Sequence, residues 1–404
     1  MSELEKITLY SIHRVAQHFL DDERFDDSLL PATIVPDVTL EKIPKGLLTR
    51  EAFSIFKNHI AAKTIESFEE ISYAIVHRFR GDFGTGEAET QSMFLVRTLS
   101  ALLRIIRPMR QRFFAIQGVV KPDGKFEVGP FDSPEDYVEL PEAHKLFYLR
   151  NQDLLTFQRL AGSFLRVMNT DYWPIRLAVQ FHDLGYYTFQ RYWKLSWFSW
   201  IAGIESLCTE NDDEHSGQLV IKERLKRLLG ADAVVYEPGD VPSFLTQPEQ
   251  TVAGVVDPIY ELRNYVMHGQ RVPSSFYTQD GRQGVDGKLR KVEELVEALS
   301  FLLRKSIQLA IEPNLVESFR DDGSRRAYFF PLTKTRLLRR RDILNFLKEQ
   351  TSSVTLNEIL LALNPRQALR APKPFNLDQV REWVTDAVST GQIVRDARGG
   401  HKTA

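Results

Sequence analysis

Cysteine is almost absent from this chain: Cys208 is the single one in 404 residues. An intramolecular disulfide is thereby excluded, and so is a cysteine-based zinc site. Long apolar runs are missing too. No stretch approaches the roughly 18 uncharged apolar residues that a membrane-spanning helix needs. The opening Met1-Ser2-Glu3-Leu4-Glu5-Lys6 has no apolar signal core. These absences predict a cytoplasmic protein without a membrane partner. Charge of one sign is not in excess either, since 52 Lys and Arg stand against 54 Asp and Glu, a net of -2. Nucleic-acid binding would therefore need a local patch. What is present, 43% hydrophobic and 26% charged residues, is the balance of a folded globular chain and excludes disorder and fibre. The length predicts two or three domains.

Residues 1–165 carry few motifs. Thr49 to Phe79 reads as one or two helices, with Phe53, Phe56, Ile60, Ile65, Ile71 and Ile75 as a loose inner face, and Gln91 to Ile106 reads as another. Gly81, Gly84 and Gly86 lie between them without the Lys-Ser/Thr of a phosphate-cradling loop, so they are read as a turn. Phe113 to Val120 and Lys125 to Phe131 flank Asp123-Gly124, a hairpin signal. Asn151 to Val167 returns to helix. The region is expected to be an accessory domain, mostly helical, with a small β element.

From about residue 170 the periodicity sharpens. Helices are predicted over Pro174 to Tyr187, Arg191 to Cys208, Gln218 to Leu229, Pro258 to His268 and Lys288 to Ile311. Trp193, Trp197, Trp200, Ile201, Ile204 and Cys208 recur at three and four, as do Leu289, Val292, Val296, Leu299, Leu303 and Ile307. Both stripes read as bundle core, and the tryptophans as core rather than a base-stacking platform. His182-Asp183 resembles the dyad of metal phosphohydrolases but lacks a second histidine at metal-ligand spacing; no metal and no cofactor is predicted.

The stretch Val256 to Gly269 carries the chemistry. Asp257 is the expected N-cap, Pro258 suits a first helical position, and Gly269 supplies a left-handed stop. Ile259, Leu262 and Val266 would face the core, leaving Asn264 and His268 one turn apart with Arg263 beside them. Five residues separate Arg263 from His268, about 7.5 Å along a helix axis, a gap that a guanidinium arm can lean across toward one phosphate. The Arg-x4-6-His pattern by itself is common. With 34 Arg and 9 His, each spacing is expected about 0.8 times by chance. Arg176 to His182 and Arg395 to His401 also match, the first in an apolar segment and the second across Gly399-Gly400. Only Arg263 to His268 lies on a capped helix with a polar residue after the arginine.

A helix ending Ile204-Glu205-Ser206-Leu207, a basic helix ending Leu228-Leu229-Gly230, then Ile259-Tyr260-Glu261-Leu262-Arg263-Asn264 with His268-Gly269, and a long closing helix resemble the HEPN superfamily, specifically its Apea-like branch, over roughly 170 to 312. The resemblance implies a four-helix bundle that forms a homodimer, so that two Arg-x4-6-His motifs share a groove that cleaves RNA without a metal. Arg263, Asn264 and His268 hold the motif positions. Many members are toxins or antiviral defence effectors, and others are inert binding modules. The chemistry suits the residues. Attack by the 2′-OH requires a proton to move, and imidazole exchanges protons near neutral pH. A guanidinium fork binds phosphate oxygens and answers charge growing on the phosphorane. Asn264 can orient the imidazole or bind phosphate. The alternative is that Arg263 pairs with Glu261 or Glu205 while His268 only caps the helix.

Past Pro313, Asp321-Asp322-Gly323-Ser324 reads as a linker, placed at 316–332. Residues 331–404 hold 13 Lys and Arg against 7 Asp and Glu, so they carry +6 and the remainder -8. Helices at Asp342 to Gln350, Leu356 to Leu363 and Leu377 to Ser389, a strand at Gln392 to Arg395 and a terminal strand after Gly399-Gly400 resemble a winged helix. Thr355 and Asn376 are the expected N-caps. In that reading Arg381 lies on the groove-reading helix, Arg398 on the wing, and Arg339, Arg340 and Arg341 touch phosphates. A solvated basic face on a protein-contact domain is the alternative.

The expected fold class is mainly α: an accessory domain at 1–165, a HEPN-like four-helix-type bundle at 166–315 and a winged-helix-like domain at 333–404. The expected activity is metal-independent endoribonuclease, with RNA as substrate, DNA as a ligand of the C-terminal domain and a regulatory protein as partner. The competing class is a non-catalytic interaction module or winged-helix regulator.

Overall fold

The computed structural model describes residues 5–13, 25–43, 71–79, 87–108, 115–121, 123, 125–131, 149–209, 218–236, 250–273, 290–330, 334–367, 375–389, 391–397 and 399–404. The protein is mainly helical, with a small antiparallel sheet. It divides into two compact units, one formed by Met1–Leu207 with Leu228–Ser324 and the other by Cys208–Arg227 with Arg325–Ala404.

In the first unit, strands β1 (Glu5–His13), β2 (Ala32–Val35), β3 (Val38–Lys42), β4 (Ile71–Phe79), β5 (Ala115–Val120) and β6 (Phe126–Phe131) make an antiparallel sheet of order β2-β3-β4-β1-β5-β6. The predicted hairpin at Asp123 is there, as β5 and β6. The helical reading of Thr49 to Phe79 fails at its end, because Ile71 to Phe79 is a strand between β3 and β1. Tyr73, Ala74, Ile75 and Val76 are all buried, so the strand shows a continuous apolar run instead of alternation, and such a run looks the same in a buried helix. Residues 49–70 of that reading, and Gly81, Gly84 and Gly86, lie outside the described residues. The β element is therefore larger than the sequence suggested.

Helix α1 (Glu87–Ile106) packs against β1, β4 and β5 and is followed by α2 (Asn151–Asn169). A buried polar chain ties α1 to the sheet: Ser92 Oγ donates to Thr8 Oγ1 at 2.6 Å and lies 2.7 Å from His77 Nδ1. Helix α3 (Trp173–Cys208) would be about 54 Å long if straight. It is instead a helical hairpin. Tyr192 leaves helical geometry at φ -143, ψ 62, and the arms return antiparallel. Trp200 Nε1 donates to the His182 carbonyl at 3.2 Å, and Ser206 Oγ donates to the Pro174 carbonyl at 3.1 Å. Trp197, Trp200, Ile201, Ile204 and Cys208 are buried as the stripe requires. Helix α5 (Val252–Met267) and helix α6 (Arg290–Ala310) follow in this unit, and Arg304 and Gln308 of α6 donate to the carbonyls of Ile106 and Ile105 at the end of α1. The stretch read as linker is structured: a 3-10 turn at Val316–Phe319 precedes helix α7 (Asp322–Phe329), which Asp321 caps by accepting the Ser324 amide at 2.8 Å.

The second unit begins with most of helix α4 (Gln218–Leu229), whose Val220 packs on Leu337. Arg224 reaches the Cys208 carbonyl at 2.8 Å and lies over the Phe329 ring. Helices α8 (Lys334–Lys348), α9 (Leu356–Gln367) and α10 (Leu377–Ser389) precede strands β7 (Ile393–Arg395) and β8 (His401–Thr403). Val354 bridges to His401, which adds a third short segment to the hairpin. Ile343, Leu347, Ile359, Leu363, Val380, Trp383, Val384 and Ile393 form its core. Both predicted caps are made as reciprocal capping boxes, Thr355 with Glu358 and Asn376 with Gln379. Helix α8 starts earlier than the expected Asp342.

Candidate functional site

The candidate site is the C-terminal end of α5. Its helix begins at Val252, not Pro258, and its N-cap is Thr251, whose Oγ1 accepts the Gly254 amide at 3.1 Å; Asp257 is not a cap. Val252, Val255, Val256, Ile259 and Leu262 are all buried, so core packing carries the helix through Pro258, even though proline leaves the Gly254 carbonyl without the amide that would close that turn. The other end follows expectation. His268 is the C-cap, Gly269 adopts φ 62, its amide meets the Val266 carbonyl at 3.3 Å, and the Gln270 amide meets that of Tyr265 at 2.9 Å. This is a Schellman stop.

The three motif residues do not stand alike. His268 is exposed, and its backbone amide closes onto the Asn264 carbonyl at 3.1 Å. Asn264 is half-buried. Arg263 follows Val252, Val256 and Ile259 at steps of four, three and four, so it continues the buried line of the helix. It lies about 140° around the axis from His268. The expectation that Arg263 stands clear of the apolar stripe is thus corrected. At the open end of that line Arg263 Nη2 meets Glu205 Oε1 at 3.4 Å, with side-chain exposures of 26% and 28%. Burial pushes the Glu205 carboxyl above its ordinary range, and the Arg263 charge pulls it part of the way back. Glu261, the other carboxylate named as a candidate partner of Arg263, lies 3.5 Å from the Tyr265 hydroxyl.

The basic residues of the second unit divide as well. Arg339 lies over the Phe375 ring, 4.4 Å from its centroid, and pairs with Asp342 at 3.3 Å. Arg340 is buried and pairs with Glu223 at 3.2 Å. Arg341 is exposed. Arg381 is exposed on α10 but bonded to Asp378 at 2.7 Å, and the same helix presents Glu382 and Asp386. Arg398 lies outside the described residues.

His182 and Asp183 are neighbours at 3.3 Å, with Arg104 3.8 Å from the carboxylate. Arg104 also lies over the rings of Tyr186 and Tyr187. Burial lowers the His182 pKa, and the Arg104 charge holds Asp183 below its ordinary range against burial. Among the described residues no three His, Cys, Asp or Glu side chains come together as a metal set. Of the other two Arg-His spacings, His182 and His401 are both buried, which makes them packing residues. Among the described residues no helix is long and apolar enough to cross a membrane. No family model, no characterised protein and no solved structure matches the chain.

Proposed function

We propose that the chain is a metal-independent endoribonuclease of HEPN type that acts as a homodimer, with the α5 ends of two copies facing one groove. The observation that supports this reading is the α5 terminus itself: an exposed imidazole at a Schellman stop, with a partly exposed guanidinium a turn and a half before it. In that groove His268 gives a proton to the leaving 5′-oxygen or takes one from the 2′-OH. Arg263 binds a non-bridging phosphate oxygen, more strongly as charge gathers on the phosphorane. Asn264, one turn before His268, orients the ring or shares the phosphate. A toxin or antiviral defence role goes with this chemistry. The test is incubation of the purified protein with RNA in EDTA. Cleavage leaving 2′,3′-cyclic phosphate ends, lost in His268→Ala, carries the reading; loss of cleavage in EDTA overturns it.

A second reading, a non-catalytic interaction module, is favoured by the ion pair of Arg263 with Glu205. For the C-terminal residues we propose a winged-helix-like domain, on the order of three helices, a bridge and a hairpin. Its α10 helix sets Asp378, Glu382 and Asp386 against Arg381. That balance repels phosphate, so a regulatory protein is the better partner for α10 than DNA or RNA.

A further inference from the structure

Glu205 sits on the last turn of α3, between residues that leave its backbone no freedom. Ile204, Leu207 and Cys208 are buried, and Ser206 is tied to the Gly203 and Pro174 carbonyls at 2.7 and 3.1 Å. The carboxylate is therefore delivered to Arg263 by a rigid arm. It is held loosely. A bidentate fork would bring two nitrogens to about 2.7–2.9 Å, whereas the approach here is 3.4 Å through Nη2. Both side chains keep about a quarter of their surface open to solvent. A half-buried carboxylate at that distance competes with any other anion for the guanidinium without saturating its donors.

We infer that Glu205 is a resident anion of the Arg263 site, standing where an RNA phosphodiester must come and setting how tightly that phosphodiester is held. The inference rests on the ribonuclease reading only for the identity of the incoming anion. Replacing the charge while keeping the shape, in Glu205→Gln, should free the guanidinium for phosphate, and an ion pair of this exposure predicts binding tighter by up to about fivefold.

The experiment measures the affinity of the full-length protein for an uncleavable 2′-O-methyl oligoribonucleotide at fixed salt, in wild type, Glu205→Gln, Arg263→Gln and the double variant. The expected result is tightening in Glu205→Gln that disappears when Arg263 is also replaced, with Glu205→Asp restoring wild-type affinity. Unchanged or weaker binding in Glu205→Gln overturns the inference, as does equal tightening in the Arg263→Gln background, which would mark a general charge effect. Absence of oligonucleotide binding in both wild type and Glu205→Gln also overturns it. Because the probe cannot be cut, the result is separable from catalysis. Tightening in a protein that leaves RNA intact would keep this inference and remove the ribonuclease, while cleavage without tightening would do the reverse.

Discussion

The indole of Trp200 lies against Gly185, so closely that a Cβ at that glycine would fall 2.6 Å from the Trp200 Cδ1. The contact lets the second arm of α3 lie flat on the first, with the indole N-H on the His182 carbonyl. Gly185→Ala forces the ring or the arm outward in a fully buried place. We expect a loss of about 1–3 kcal/mol of stability, read as a lowered melting temperature. An alanine variant that melts with wild type would mean that the Trp200 indole does not press on Gly185 in solution.

Acid should destabilise the protein through its buried histidines. Burial is the largest cause lowering the His182 pKa, Arg304 and Arg104 add to it, and Asp183 opposes them. His77 and His401 are lowered by burial too. Below histidine's ordinary value of about 6.5 the unfolded chain takes up protons that the folded chain declines. Stability is therefore whole above that pH and is lost as pH falls from it toward the depressed folded values. Melting curves between neutrality and mild acid should slope less steeply in His182→Gln than in wild type; equal slopes would remove His182 from the account.

If His268 is the proposed general acid or base, His268→Ala should lose about 10²- to 10⁴-fold in RNA cleavage. Since the His268 side chain is exposed, its melting temperature should stay at wild type. Arg263→Gln should lose cleavage and also some stability, because it leaves half-buried Glu205 without that cation. A His268→Ala variant that cleaves at the wild-type rate would leave α5 as a structural helix only.

Salt dependence distinguishes the roles of the two units. If α10 meets protein, then Arg381→Ala should leave the slope of log affinity against log salt for RNA unchanged. A fall of about one would return that surface to nucleic acid.

The assembly can be weighed directly. One Arg-His pair makes half of the proposed groove, so light scattering should give twice the mass of the 46.6 kDa chain at working concentration. A monomer that still cleaves RNA would show that a single α5 end suffices.

What the sequence by itself determined were features that close over a few residues. The stripe from Trp197 to Cys208, the extent of Gln218–Leu229, the caps at Thr355 and Asn376 and the left-handed stop at Gly269 all follow from side chains within one or two helical turns of each other. Tertiary structure decided the rest. Ile71–Phe79 is a strand because β1 and β3 take its backbone hydrogen bonds and both its faces are covered. α5 begins at Val252 because five buried apolar side chains outweigh the cost of Pro258. The partner of Arg263 was named in sequence only as one of two carboxylates. The meeting of the α3 end with α5, which no local pattern encodes, put Glu205 at 3.4 Å from Arg263 while Glu261 lay near Tyr265.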